Sequence, residues 1–151
     1  MRVLFDTNVV LDVMLNREPF ADVAAQLFSL VETGAIAGFL SATTLTTIHY
    51  LATKAIGADL AHREIRKLLM LFEIAPVSRA VLESSLELKF SDFEDAVLHE
   101  AARHAGVQTI VTRDVDGFKQ ATVATYSPQE LAQMLAALSS SPESPKETRP
   151  S

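Results

Sequence analysis

Short apolar runs alternate along this chain with segments of helical periodicity, and that alternation admits few architectures. Val3-Leu4-Phe5 reads as a buried strand ending at Asp6, and Thr7 or Asn8 stands where a cap is needed for a helix from Val9 to Leu15. Pro19 opens a second helix, with Phe20, Val23, Ala24, Leu27, Leu30 and Val31 on one face, and Gly34 stops it. Gly38-Phe39-Leu40 is a second strand. Ser41 to Thr44 offer caps for a helix that runs to Ile56 and stops at Gly57, and another helix spans Asp59 to Phe72.

Glu73 to Val77 reads as a third strand and Ser78 to Leu88 as a helix. Ser91 and Glu94 have the spacing of a capping box, at the head of a helix that Gly106 closes. Thr109-Ile110-Val111 is a fourth strand, followed by the polar turn Thr112 to Gly117, and Ala121 to Thr125 is a weak fifth. Ser127 caps a last helix, with Leu131, Met134, Leu135 and Leu138 at helical spacing. Strands alternating with helices predict an α/β fold with a parallel sheet covered on both faces. One domain is expected over residues 1–138. Residues 139–151 are dominated by Ser, Pro and charge and are expected to form a disordered tail.

Composition narrows the chemistry. The 151 residues include no Cys, which excludes disulfides, thiolate nucleophiles and cysteine metal sites. The longest strictly apolar run, Leu68 to Phe72, is far too short for a membrane span, and Asp6, Asn8 and Asp12 interrupt any signal-peptide pattern. A cytoplasmic protein with no membrane partner is expected. The net charge of −6 argues against nucleic-acid binding by bulk positive charge. It leaves room for an enzyme that gathers acids around a metal and so touches phosphates.

In a parallel sheet the reactive groups collect at the carboxyl ends of the strands. Asp6 follows the first strand, and Asp114 and Asp116 follow the fourth. Asp92 and Asp95 lie three apart at the start of the preceding helix, on one face. Converging carboxylates repel unless protons or a cation intervene. An all-oxygen set with open positions suits Mg²⁺ or Mn²⁺, which activates water and clamps a phosphodiester. Taken singly, each acid also has a structural use. Asp6 suits a helix cap, Asp114 and Asp116 suit turn formers before Gly117, and Asp92 suits the positive end of a helix dipole. His99 lies one turn beyond Asp95, facing either the cleft or solvent. Arg113 is a candidate for a phosphate contact or a surface ion pair.

Three of these segments resemble known motifs. Phe5-Asp6-Thr7-Asn8-Val9-Val10-Leu11-Asp12 resembles the opening motif of the PIN-domain ribonucleases, Asp92-Phe93-Glu94-Asp95-Ala96-Val97 their central acidic helix, and Ile110-Val111-Thr112-Arg113-Asp114 with Phe118 their final motif. Within that family the chain is similar to the VapC-type toxins of toxin–antitoxin pairs. The resemblance implies a PIN-like fold, a five-stranded parallel sheet sandwiched by helices. It implies Mg²⁺- or Mn²⁺-dependent cleavage of RNA, a homodimer, and inhibition by a small antitoxin protein. By position, Asp6, Asp95 and Asp114 match the family's catalytic, metal-binding acids, Asp116 matches an additional, more variable one, and Asp92 is a further acid of the central motif and a candidate ligand. One position departs from the pattern: Thr47 stands where the family usually places a Glu on the helix after the second strand. Thr is able to hydrogen-bond a metal-bound water but brings no charge.

Two other readings compete. One is a non-catalytic PIN module that binds RNA or a protein partner after losing that Glu. The other is phosphoryl transfer through an aspartyl phosphate, which needs either a second Asp where Asn8 stands or a Lys where Arg113 and Asp114 stand.

Overall fold

A computed structural model describes residues 1–140, and residues 141–151 of the expected tail lie outside the described residues. The elements are β1 (Arg2–Phe5), α1 (Thr7–Met14), α2 (Ala21–Glu32), β2 (Ala37–Ser41), α3 (Ala42–Ile56), α4 (Ala58–Leu71), β3 (Glu73–Ala75), α5 (Arg79–Leu86), α6 (Phe93–His104), β4 (Thr109–Val111), a 3₁₀ turn (Val115–Phe118), β5 (Ala124–Tyr126) and α7 (Pro128–Ser140). The strands form one sheet in the order β3-β2-β1-β4-β5, with every neighbouring pair parallel. The parallel α/β fold expected from the alternating pattern is therefore the fold adopted.

Side chains of a strand alternate between the two faces of its sheet. In β1, Val3 and Phe5 join a core with Val9, Leu27, Ile48, Leu68 and Leu131, which come from α1, α2, α3, α4 and α7. Leu4 joins the opposite core, with Val81 from α5 and Val97, Leu98 and Ala101 from α6. Both faces are covered, so β1 has no polar side and reads as an uninterrupted apolar run. Gly38 in β2 admits the Phe72 ring: a Cβ there would lie 2.7 Å from two of its carbons.

The helix starts differ from expectation at several places. Asp6, not Thr7 or Asn8, caps α1, its carboxylate accepting from the Thr7 amide at 2.7 Å. Asp92 caps α6 by accepting from the Asp95 amide at 3.0 Å, so the expected Ser91–Glu94 box does not form. A carboxylate in the cap position accepts the same third-residue amide as a serine and adds charge at the helix dipole's positive end. The reciprocal box forms instead at α7, where Ser127 Oγ accepts from the Glu130 amide and Glu130 Oε1 accepts from the Ser127 amide, both at 3.1 Å. The second helix starts at Ala21, after Pro19, and leaves Phe20 37% exposed rather than in the core. α7 continues through Ser140, so Ser139 and Ser140 are helical rather than tail. No described helix is long and apolar enough to cross a membrane.

The sheet order sets the position of the site. From β1 the chain moves to β2 and β3 on one side, then returns to β4 and β5 on the other. The crevice at such a reversal opens beyond the carboxyl ends of the two strands that flank it. Here those strands are β1 and β4, paired Phe5 to Val111, so Asp6 and Thr112 emerge side by side.

Candidate active site

Asp6 is 8% exposed and tightly held. Its Oδ1 accepts from the Thr7 amide, and its Oδ2 accepts from the Thr112 hydroxyl at 2.7 Å and from the Asn8 amide group at 3.5 Å. Burial raises the Asp6 carboxyl above its ordinary pKa. The Thr112 and Thr7 hydrogen bonds pull it back, and the charges of Glu94 and Asp114 push it further up. Thr112 also accepts from the Asp114 amide at 3.0 Å, which ties the turn after β4 to Asp6.

Asp95 sits in the first turn of α6, half-buried, with its carboxyl pushed up to about 7. Burial is the main cause, followed by the charges of Asp6, Asp92, Asp114 and Glu94. Asp6 and Asp95 therefore share one electrostatic neighbourhood with Asp92, Asp114 and Glu94. Asp114 is exposed and accepts from the Gly117 amide through Oδ1 at 3.2 Å. A Cβ at Gly117 would lie 2.7 Å from Asp114 Oδ2 and 3.1 Å from Asp95 Oδ2. Two carboxylate oxygens, from α6 and from the turn after β4, thus approach one bare backbone position. Asp116 is exposed in the same 3₁₀ turn.

Thr47 on α3 donates to Glu94 Oε1 at 3.4 Å, so the position without the expected acid faces an acid from α6. Glu94 reads in sequence as a capping partner and, with Asp92, as an acid able to supply the charge that Thr47 lacks; its contact with Thr47 puts Glu94 at that position. Thr112 and Asn8 were also missed as site residues. Their signal was a hydroxyl and an amide flanking the two strand-end acids. His99 does not face the cleft: it is 1% exposed, and its Nε2 accepts from the Thr122 and Val123 amides at 3.1 and 3.3 Å. Its Nδ1 has no hydrogen-bond partner and lies 3.8 Å from Glu100 Oε2. Arg113 pairs with the fully buried Asp12 through Nε at 2.7 Å. His49 and His62 pack edge to face, with ring centres 4.9 Å apart. Among the described residues, no three His, Asp or Glu side chains close into a ready-made metal cage.

A sequence profile described as a PIN domain matches residues 2–116. The chain belongs to the PIN-domain family. This PIN domain is 25% identical over 118 residues to Ribonuclease VapC1 of Aquifex aeolicus, spanning 75% of this chain and 81% of that protein. FitAcB from Neisseria gonorrhoeae superposes with a TM-score of 0.63 at 24% identity, over 84% of this chain and 98% of that chain. VapBC2 from Rickettsia felis, solved on a DNA fragment from its promoter, gives a TM-score of 0.62 at 17% identity, over 84% of this chain and 98% of that chain. VapC20 of Mycobacterium tuberculosis, a toxin described as cleaving the sarcin–ricin loop, gives 0.63 at 16% identity, over 76% and 92% of the two chains. These likenesses establish the shared fold.

Proposed function

We propose that this PIN domain is a metal-dependent endoribonuclease that hydrolyses RNA phosphodiester bonds, and that it is the toxin of a toxin–antitoxin pair. The observation that carries the reading is the approach of Asp95 and Asp114 to the bare face of Gly117, beside the buried Asp6. A polypeptide gathers carboxylates in this way at a cost, and a divalent cation offsets it. The donors are all oxygen, as Mg²⁺ and Mn²⁺ require.

In this reading Asp6, Asp95 and Asp114 would hold the metal, with Asp92 and Asp116 as further candidate ligands. Asp116 also belongs to the catalytic acids. Bound Mg²⁺ or Mn²⁺ supplies an activated water and offsets the charge of the phosphodiester. Thr112 and Thr7 keep Asp6 oriented and favour its ionised form. Asp95, whose carboxyl is pushed up to about 7 by burial and its acidic neighbours, would have to be ionised to hold such a cation. Asn8 braces the Arg113 backbone at 3.2 Å and so holds the turn that carries Asp114.

The partners follow the same reading: cytoplasmic RNA, a second copy of the chain, and a small antitoxin protein. The relatives solved as toxin–antitoxin pairs support the last of these. Exposed Tyr50, Leu51, Leu60, Leu69 and Met70 on α3 and α4 supply apolar surface for a protein partner. The competing reading, a non-catalytic module, draws on Thr47 alone. Mn²⁺-dependent cleavage of RNA by the purified protein separates the two. Asp6→Asn should lower that cleavage by roughly a hundredfold or more while preserving the fold. Equal rates for the two proteins would overturn the nuclease reading.

A further inference from the structure

A cleft of carboxylates repels the phosphates of an RNA strand, and the net charge of −6 gives no general attraction. Fixed positive charge nonetheless stands directly beside the site. Asp12 is fully buried and accepts from Arg17 Nε at 2.8 Å and from Arg113 Nε and a terminal nitrogen at 2.7 and 3.2 Å. Two guanidinium groups share one carboxylate, so the trio carries one net positive charge. Both arginine side chains are still about one-third exposed, at 38% and 30%. The bidentate pair holds the Arg113 guanidinium, whose central carbon lies over the Phe20 ring, 3.9 Å from its centre.

Arg113 also forms one end of a groove of about 930 Å³ between α2 and α7. Phe20 and Pro128 give this groove apolar walls, and Gln26, Gln129 and Gln133 line it with amides. Arg113 lies between Thr112, which holds Asp6, and Asp114, so the groove and the acidic cleft share one segment of backbone. A planar cation on an aromatic ring is a stacking surface for nucleobases, and amide side chains both donate to and accept from base edges.

We propose that the α2–α7 groove is a substrate subsite for single-stranded RNA. A base next to the scissile phosphate stacks at the Arg113–Phe20 end, its phosphate faces the Arg17–Arg113 charge, and the strand continues past Gln129 and Gln133. This rests on the nuclease reading above for the identity of the substrate. Asp12 is then a positioning residue, holding Arg113 over the Phe20 ring.

The test uses the full chain, with a short fluorescein-labelled single-stranded RNA as the probe. In an Asp6→Asn background, Phe20→Ala should weaken RNA binding roughly tenfold by anisotropy, and Phe20→Trp should restore it. Phe20→Ala keeps the ion pairs, and its partial exposure keeps the fold. In cleavage by the otherwise unaltered protein, Phe20→Ala should raise KM more than it lowers kcat. RNA carrying 4-thiouridine should cross-link to peptides containing Phe20, Gln129 or Gln133. Unchanged affinity in Phe20→Ala, or cross-links confined to α3 and α5, would overturn the proposal and leave the groove to a peptide partner. The two readings fail separately. RNA binding that depends on Phe20 without any cleavage strikes the nuclease and leaves the subsite. Metal-dependent cleavage with KM unchanged in Phe20→Ala strikes the subsite and leaves the nuclease.

Discussion

Thr47 on α3 and Glu94 on α6 meet across the mouth of the acidic cleft, hydroxyl to carboxylate at 3.4 Å. The Glu94 charge acts on both Asp6 and Asp95, so α6 delivers an acid to the side of the cleft where α3 has none. Glu94→Gln should therefore weaken Mn²⁺ binding roughly tenfold in calorimetric titration, the scale of a lost outer partner of a metal site. Adding Thr47→Glu to Glu94→Gln should recover most of that loss. Thr47→Glu alone should tighten Mn²⁺ binding and lower metal-free stability by adding one more like charge. Unchanged Mn²⁺ affinity in a folded Glu94→Gln protein would remove Glu94 from the site.

Asp95 predicts a pH dependence with a definite sign. Its folded pKa is raised from 3.8 to about 7, so between those values the folded state holds a proton that the unfolded chain has lost. This stabilising term is complete below 3.8, declines as pH rises, and is gone above about 7. The shift of Asp6 has the same sign. Melting temperatures of the metal-free protein between pH 4 and 8 should show Asp95→Asn becoming more stable than the native chain as pH rises. Mn²⁺ should raise the native melting temperature more at pH 7 than at pH 5. A mutant curve parallel to the native one would contradict the assignment.

Gly117 has a steric role that alanine cannot fill. An added Cβ would sit 2.7 Å from Asp114 Oδ2 and 3.1 Å from Asp95 Oδ2, both closer than ordinary van der Waals contact. Gly117→Ala should push these carboxylates apart, weakening Mn²⁺ binding and lowering cleavage by about tenfold or more. Circular dichroism should stay native. Full activity in the alanine variant would show that the cleft opens without affecting the chemistry.

His99 should act on stability, through the loop before β5. Its Nε2 is the acceptor for two backbone amides, so His99→Ala strands groups that cost about 1–3 kcal/mol each when buried without a partner. His99→Gln keeps an acceptor oxygen and should recover part of the loss. Burial lowers the His99 pKa, opposed by Glu100 and aided by Arg103. Its contribution is thus complete above the ordinary value of 6.5 and declines as pH falls below it, opposite in sign to Asp95. Denaturant midpoints at pH 5 and pH 8 for the native and Gln forms would reveal this difference; equal shifts at both would oppose it.

Much of the fold is written in local pattern. The alternation of apolar runs with helical periodicity determines a parallel α/β sheet, because each element's period and length depend on residues within a few positions of one another. The strand-end rule likewise points to Asp6, Asp114 and Asp116, with Asp92 and Asp95 on the adjoining helix, and the resemblance to the PIN motifs selects Asp6, Asp95 and Asp114 among them. What tertiary structure alone decided are relations between distant positions. Arg113 reaches Asp12, Thr112 reaches Asp6, and Thr47 reaches Glu94, each across a long stretch of chain. Asp12 looks like one more polar residue in a helix, and Phe20 like part of a stripe for the core or a dimer surface. Each acquires its role only when the sheet reverses between β1 and β4 and brings the acidic motifs together. Periodicity records which face a side chain takes. Which distant charge or ring that face then meets depends on strand order and helix packing, and no local window of sequence contains it.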